Sequence, residues 1–371
     1  MKILFLSHYY YPQVGGIESN SELLAAAFTA AGHEVHLLTW SPDNTKRAFP
    51  YRITRNPNTR QLLQAHQWAN LVFENNPCFR LGWPGIIFKR PTVTVINTWI
   101  TRADGQTTLR DKIKTTWWLG RSTQVIAVSN AIKKACWPKA IVIGNPYRAD
   151  NFTIDPSIQR DTDFVFLGRL VSDKGANQAI EAIYRIRQLL QQQGNASHFP
   201  GLTIIGDGPE KQTLEQQVAS LSLQEAVVFT GALQGEPLRT MLNRHRYILV
   251  PSAWEEPFGN VALEGMACGC LPIGSNGGGL PEAIGKAGLT FKRNDIDSLV
   301  HCMRRLLENP ALDKMLRDAA SQHLKEHHPH SVAQKYLQVI GQAFNNKKNR
   351  HENRTTNTNP TGAQQQTAGQ I

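Results

Sequence analysis

Short apolar runs alternate along the chain with longer amphipathic stretches. Lys2–Ser7, Val35–Thr39, Leu71–Glu74, Thr92–Ile96, Val125–Val128 and Ala140–Ile143 are leucine-rich or β-branched runs of strand length, and Tyr51–Arg55 is a weaker one. Runs of this kind, with little polar alternation, predict strands covered on both faces. Leu23, Leu24, Ala27, Phe28 and Ala31 recur at helical spacing and stop at Gly32, which predicts a helix from near Ser19 after a turn through Pro12 and Gly15-Gly16. Thr59–Ala69, Leu109–Leu119 and the stretch from Ser129-Asn130 to Ala135 also read as helices, whereas Pro77–Pro91, with Trp83-Pro84-Gly85, reads as loop. Strand, glycine turn, helix, strand is the opening of a parallel α/β sheet.

The pattern then repeats. Phe164–Leu167, Leu202–Ile205, Val227–Thr230 and Tyr247–Val250 predict strands, with helices from about Asn177 to Gln193 and over Lys211–Ala219. Pro251–Glu282 reads as a loop, a helix, a short strand and a glycine-rich loop leading into another helix. Asp297–Leu307, Leu312–Lys325 and Ser331–Phe344 read as helices. Two successive strand–helix series predict two similar α/β domains facing each other across a cleft, residues 1–155 and 156–325, joined through the polar, proline-containing stretch Phe152–Asp163. Residues 345–371 carry no apolar periodicity and read as a disordered tail.

Charge changes this picture by dividing the chain. The 371 residues carry a formal charge of +11, but Asn44–Asn151 alone holds seventeen Lys or Arg against Glu74, Asp104, Asp111 and Asp150. That stretch also holds Trp68, Trp83, Trp99, Trp117, Trp118 and Trp137. Basic and aromatic side chains together suit an anionic bilayer surface or an anionic substrate, and a solvated basic face around core tryptophans stands beside that reading. No zinc-finger, RRM or KH signature accompanies them, so nucleic acid is not expected. The five cysteines, Cys78, Cys136, Cys268, Cys270 and Cys302, follow no disulfide or zinc spacing. Neither the amino-terminal MKILFLSHYYYP nor any later run is apolar for long enough to cross a membrane. A cytoplasmic protein without a metal, touching a membrane at its surface if at all, is the expectation. His327, His328 and His330, around Pro329, read as a solvent-facing cluster.

Candidate chemistry concentrates in the second half. Arg169 and Lys174 lie five residues apart in a strand-to-helix loop, suited to a diphosphate leaving group or to surface ion pairs. Glu256 and Glu264 flank the start of a predicted helix beside Gly259, placed to accept hydroxyl donors or to cap and pair structurally. Gly277–Gly279 precedes Pro281-Glu282 and offers backbone donors at a helix start, as Gly15-Gly16 does in the first half. The paired carboxylates also leave a glycoside hydrolase or phosphorylase open, and the basic half leaves a non-catalytic anion-binding module open.

These residues carry a resemblance. Gly15-Gly16-Ile17-Glu18, Gly168-Arg169 with Lys174-Gly175, Gly206-Asp207-Gly208-Pro209, Glu256-Pro257-Phe258-Gly259 through Glu264-Gly265, and Gly277 to Glu282, in that order, resemble a retaining glycosyltransferase of family 4 with the GT-B fold. The resemblance implies transfer of a glycosyl unit from a nucleotide-diphosphate sugar to an acceptor hydroxyl, in cell-surface polysaccharide or glycolipid synthesis, without a metal. It assigns Glu256 to the donor sugar, Glu264 to the ribose, and Arg169 and Lys174 to the diphosphate. Gly16, Gly168, Gly208, Phe258, Gly259, Asn260, Gly278 and Gly279 fall around the donor, and residues 326–344 become a helix crossing back to the first domain. Where such enzymes place a histidine after the strand Thr92–Ile96, this chain has Asn97-Thr98-Trp99. An amide cannot take up a proton as a base, so Asn97, Thr98, Trp99 and His8 stand as acceptor-side candidates with no assigned base.

Overall fold

The computed structural model describes residues 1–356 apart from 14, 44, 46, 101–107 and 194–198. Its first sheet contains β1 (Lys2–Leu6), β2 (Glu34–Thr39), β3 (Arg52–Arg55), β4 (Leu71–Asn75), β5 (Thr92–Ile96), β6 (Gln124–Ala127) and β7 (Ile141–Val142), in the order β3-β2-β1-β4-β5-β6-β7. The second contains β8 (Thr162–Leu167), β9 (Leu202–Ile205), β10 (Val227–Gly231), β11 (His245–Val250), β12 (Leu271–Ser275) and β13 (Leu289–Phe291), in the order β10-β9-β8-β11-β12-β13. Every strand pair is parallel. Helices cover both faces, which is why Ile3–Leu6 and Tyr247–Leu249 are wholly buried and read as unbroken apolar runs.

In each sheet the strand order reverses beside a central strand, at β1/β4 and at β8/β11. The crevice at such a reversal, beyond the carboxyl ends of the strands, is where open α/β sheets bind ligands. Ser7, Asn75-Asn76, Gly168-Arg169 and Pro251-Ser252 occupy those strand ends.

Several local expectations shift. The first helix begins at Gly16, because Gly15 caps it in an extended conformation and the glycine pair enters the first turn. Pro77–Pro91 forms two short helices, Phe79–Gly82 and Pro84–Phe88, the second started by its proline. The helix Gly235–Arg244 escapes the sequence pattern because only Leu238, Leu242 and Asn243 are buried on it, and β13 is too short for a period to register. The last helix runs from Pro329 to Thr356, so residues 345–356 are helical where composition predicts a disordered tail; the remainder of that predicted tail lies outside the described residues. Val332, Tyr336, Val339 and Ile340 on this helix are buried in the core cluster that contains Phe5 and Phe28 of the first domain, and the Tyr336 ring lies 5.9 Å from that of Phe73. No helix among the described residues is long and apolar enough to cross a membrane.

Candidate active site in the interdomain cleft

Two adjoining cavities lie between the sheets. One, of about 300 Å3, is walled by Gly16, Asn97, Thr98 and Asn145 from the first sheet's loops and by Gly168, Lys174, Glu256, Phe258, Gly259 and Asn260 from the second. The other, of about 540 Å3, is lined by Glu18, Arg148, Arg169, Gly206, Gln234 and Glu264. Leu167, Gly168 and Val261 border both, so the cavities meet at the end of β8.

The charged center of the smaller cavity is Glu256. Its Oε1 accepts from Lys174 Nζ at 2.7 Å and from Ser252 Oγ at 2.6 Å, and the carboxylate side chain is 13% exposed. Lys174 comes from a single 3-10 turn, Ser172–Lys174, closed by Gly175 at φ +77°. A side chain at residue 175 would collide with the Pro251 carbonyl, since its Cβ would lie 1.9 Å from that oxygen; the glycine is what lets the two loops meet. The Glu256 loop is held from behind by the glycine run. Gly279 N–H donates to Glu256 O at 2.7 Å, and Gly278, at φ +61°, has room for no Cβ against the same oxygen.

Gly259, at φ +110°, turns the chain into the helix Asn260–Ala267, whose amino-terminal end borders the cavity and brings partial positive charge there. One turn later, the carboxylate of the half-buried Glu264 accepts no hydrogen bond among the described residues. Burial pushes its carboxyl up to about 7, against the opposing pull of Arg148. Arg169 is exposed at the edge of the larger cavity and makes no ion pair among the described residues.

The first-sheet wall has another character. Asn97 Nδ2 donates to Asn75 Oδ1 at 2.7 Å, Asn20 Nδ2 donates to Asn97 Oδ1 at 3.1 Å, and Asn97 N–H donates to Asn76 Oδ1 at 2.7 Å. Asn20 Nδ2 also reaches Asn145 Oδ1 at 3.4 Å, and Asn145 Nδ2 donates to Asn260 Oδ1 at 3.1 Å. A chain of amides thus runs from beneath the first sheet across the cleft to the second domain. Asn97 is a member of that chain with its polar atoms engaged.

Further bonds close the seam. Trp99 Nε1 donates to Glu255 O at 2.6 Å, Ser129 Oγ to Pro257 O at 2.7 Å, and Asn130 N–H and Nδ2 to Glu282 at 2.7 and 2.8 Å.

Most of the candidate site residues therefore meet at one cleft, and five of them line neither cavity: Trp99, which bonds across the seam to Glu255 O, and His8, Gly208, Gly278 and Gly279. His8 borders neither cavity; its ring sits edge-on to Tyr9 at 4.5 Å, and burial, then Arg80, lowers its pKa. Gly208 packs under Leu170, whose carbonyl would lie 2.4 Å from a Cβ there, and Gly278 and Gly279 stand behind the Glu256 loop. His327 is not solvent-facing as its neighbours in sequence suggest. Its Nδ1 pairs with Asn145 O at 2.9 Å and its ring lies 5.5 Å from Phe258 and 4.7 Å from His323, and burial lowers its pKa to about 4. Ser252, Asn145 and Arg148 were missed. Ser252 stands four residues before Glu256 and Asn145 lies in the Gly-Asn-Pro turn after β7, signals visible in the sequence but not specific.

Comparison with known proteins fits this geometry. Residues 149–323 match the family model described as Glycosyl transferases group 1. Anabaena Alr3699/HepE, solved in complex with UDP, superposes with a TM-score of 0.76 at 18% identity, covering 92% of this chain and 100% of that one. The fold is GT-B. In sequence, this GT-B chain is 31% identical over 205 residues to a glycogen synthase of Mycobacterium tuberculosis, which is 54% of this chain and 44% of that protein. It is 23% identical over 344 residues to a phosphatidylinositol N-acetylglucosaminyltransferase component of Arabidopsis thaliana, 83% of this chain and 74% of that protein. The chain thus spans less than half the length of the first of these relatives.

Proposed function

We propose that this protein is a glycosyltransferase that moves a glycosyl unit from a nucleotide-diphosphate sugar to an acceptor hydroxyl with retention of anomeric configuration. The observation that carries the reading is the pair of cavities joined at Gly168: one holds the Glu264 carboxylate with Arg148 and Arg169, the other a lysine–carboxylate pair, Lys174 and Glu256, and a helix amino terminus. A nucleoside in the larger cavity and a sugar in the smaller place the diphosphate at the junction, between Arg169 and Lys174.

In this reading Glu264 accepts from the ribose hydroxyls. Glu256 uses Oε1 for Lys174 and Ser252 and keeps Oε2 for a hydroxyl of the donor sugar. Lys174 spends one of its three donors on Glu256 and turns the others to the diphosphate; Arg169 closes on it from the cavity edge. As the bond between the anomeric carbon and the phosphate oxygen breaks, the acceptor oxygen bonds to the same face of that carbon. Its proton passes to the departing phosphate oxygen, so no protein base is required, in keeping with amides on the first-sheet wall. Lys174, Arg169 and the helix amino terminus stabilise the growing negative charge.

UDP-sugars head the donors to be tried, because the superposable HepE is solved with UDP. The acceptor is anionic or lipid-linked, as in cell-surface polysaccharide or glycolipid synthesis. Support comes from the basic first half and from the Arabidopsis relative, whose name carries phosphatidylinositol. A donor panel measuring nucleotide-diphosphate release against product, with NMR of the product's anomeric center, tests the reading. Product with inverted configuration removes the retaining mechanism, and sugar turnover with no nucleotide donor removes the transferase.

A further inference from the structure

Among the described residues eleven large apolar side chains are exposed, and five of them, Ile86, Ile87, Leu109, Ile113 and Trp117, belong to two helices of the first domain. Leu109, Ile113 and Trp117 follow one another at four-residue steps along the helix Leu109–Gly120, so they form one outward stripe, and they are 73%, 61% and 56% exposed. The opposite side of that helix is anchored. Trp118 is buried, donates from Nε1 to Glu74 Oε2 at 2.7 Å and lies 4.5 Å from the Phe79 ring. Gly82 packs against Trp118 and Gly85 against Arg121, which brings the short helix Pro84–Phe88, with Ile86 and Ile87, alongside the end of the stripe.

Bases flank the apolar side chains. Arg110, Lys112 and Lys114 on the longer helix and Lys89 at the end of the shorter are all exposed, against a single acid in the longer helix's sequence, Asp111. The sequence from Asn75 to Ala103 contains no acidic residue, and Glu74, just before it, is fully buried and paired with Arg121 at 3.0 Å. A fixed helix with an apolar stripe, an exposed tryptophan and a predominantly basic rim matches the boundary between headgroups and acyl chains of an anionic bilayer. A second copy of this chain would bring the same bases into opposition.

We propose that the helices Leu109–Gly120 and Pro84–Phe88 dock this protein on an anionic lipid surface, with Ile113 and Trp117 inserted and Arg110 and Lys112 on the headgroups. The docking stands on these residues alone. Its consequence rests on the transferase reading: both helices belong to the first domain, which would supply the acceptor wall, so docking would hold that domain at the lipid.

Sedimentation of the full chain, without donor, with phosphatidylcholine–phosphatidylglycerol vesicles and with pure phosphatidylcholine vesicles tests the docking. Binding confined to the anionic vesicles is expected. Ile113→Asp with Trp117→Asp should abolish it, and Arg110→Ala with Lys112→Ala should weaken it about thirtyfold, from two lost headgroup contacts. All four side chains are exposed, so each variant should keep its thermal midpoint, and the second pair carries the test if the first fails to fold. Equal binding to both vesicles, undiminished binding by both variants, or a dimer dissolved by Ile113→Asp with no vesicle binding would overturn the proposal. Transfer to a soluble acceptor, measured on the same variants, is expected to be unchanged, which separates failure of docking from failure of the transferase reading.

Discussion

On the second-domain wall of the cleft the working groups are ions close to one another in sequence: Glu256 and Glu264 lie within nine residues, the Ser252 hydroxyl donates to Glu256, and Lys174 joins them across the strand ends. On the first-domain wall of the smaller cavity they are amides, Asn20, Asn75, Asn76, Asn97 and Asn145, while the charged Glu18 and Arg148 face the larger cavity. An ionic wall suits a ligand whose charge changes during reaction. A wall of mutually bonded amides has neither charge nor a titrating group, and it fixes shape. On the proposed transferase reading, the contrast would put proton and charge traffic on the donor side and leave the acceptor side to position a hydroxyl.

The largest effect should come from breaking the ionic wall. Glu256→Gln removes the ionised partner of Lys174 and the charge proposed to face the donor sugar, while keeping shape; kcat should fall by about 10^2–10^3. Lys174→Ala should do the same. Both side chains border an open cavity, so thermal midpoints should move little. Steady-state kinetics with parallel thermal melts decides: near-native kcat in either variant takes that residue out of the proposed machinery.

Glu264 gives the next effect and carries pH dependence. Burial pushes its carboxyl up to about 7, and on the proposed reading ribose hydroxyls would donate to the ionised form. Nucleotide affinity should therefore rise about tenfold from pH 6 to pH 8, and Glu264→Gln should flatten the profile. The stability of the unliganded protein runs the other way. Between the ordinary carboxylate value and about 7 the folded state holds a proton that the unfolded chain has released, so stability falls as pH rises through that window. Calorimetric titration of UDP across that range is the check; a flat wild-type profile would place the ribose elsewhere.

The two walls also differed in how far sequence revealed them. Both sheets were legible because strands buried on two faces are continuous apolar runs, and Thr92–Ile96 and Leu202–Ile205 were bounded correctly. Lys174 and Glu256 stand out in sequence as charges beside glycine in strand-to-helix loops and Glu264 as a carboxylate in the next helix, and the fold brings all three to the cleft cavities. The amide chain was not legible, since each asparagine looks like an ordinary turn residue until the fold brings Asn20, Asn97 and Asn145 within bonding distance. Glycine was the ambiguous signal. Gly259 borders the cavity, whereas Gly208, Gly278 and Gly279 are needed because backbone packs where their Cβ atoms would be.

Cutting the amide chain should cost less than removing an ion. Asn145→Ala loses bonds to Asn20 and Asn260 and leaves a buried amide short of a partner, so stability should drop by about 1–3 kcal/mol. Activity should fall about tenfold, expressed mainly in acceptor KM. Denaturant melts and acceptor titrations measure both; a loss confined to donor KM would assign Asn145 to the ionic wall instead.

The smallest effect belongs to the seam where the walls meet. Trp99 gives its indole proton to Glu255 O and Ser129 its hydroxyl proton to Pro257 O, so first-domain side chains hold the backbone on either side of Glu256. These bonds fix where Glu256 sits without touching its carboxylate. Trp99→Phe keeps an aromatic ring and deletes one hydrogen bond, worth about 1 kcal/mol when partly exposed. Donor KM should rise about fivefold with kcat held, and adding Ser129→Ala should raise it further by a similar factor. If kcat falls instead while donor KM is unchanged, the seam orders the reacting groups themselves, and the separation between an ionic donor wall and a shaping acceptor wall fails at the loop they share.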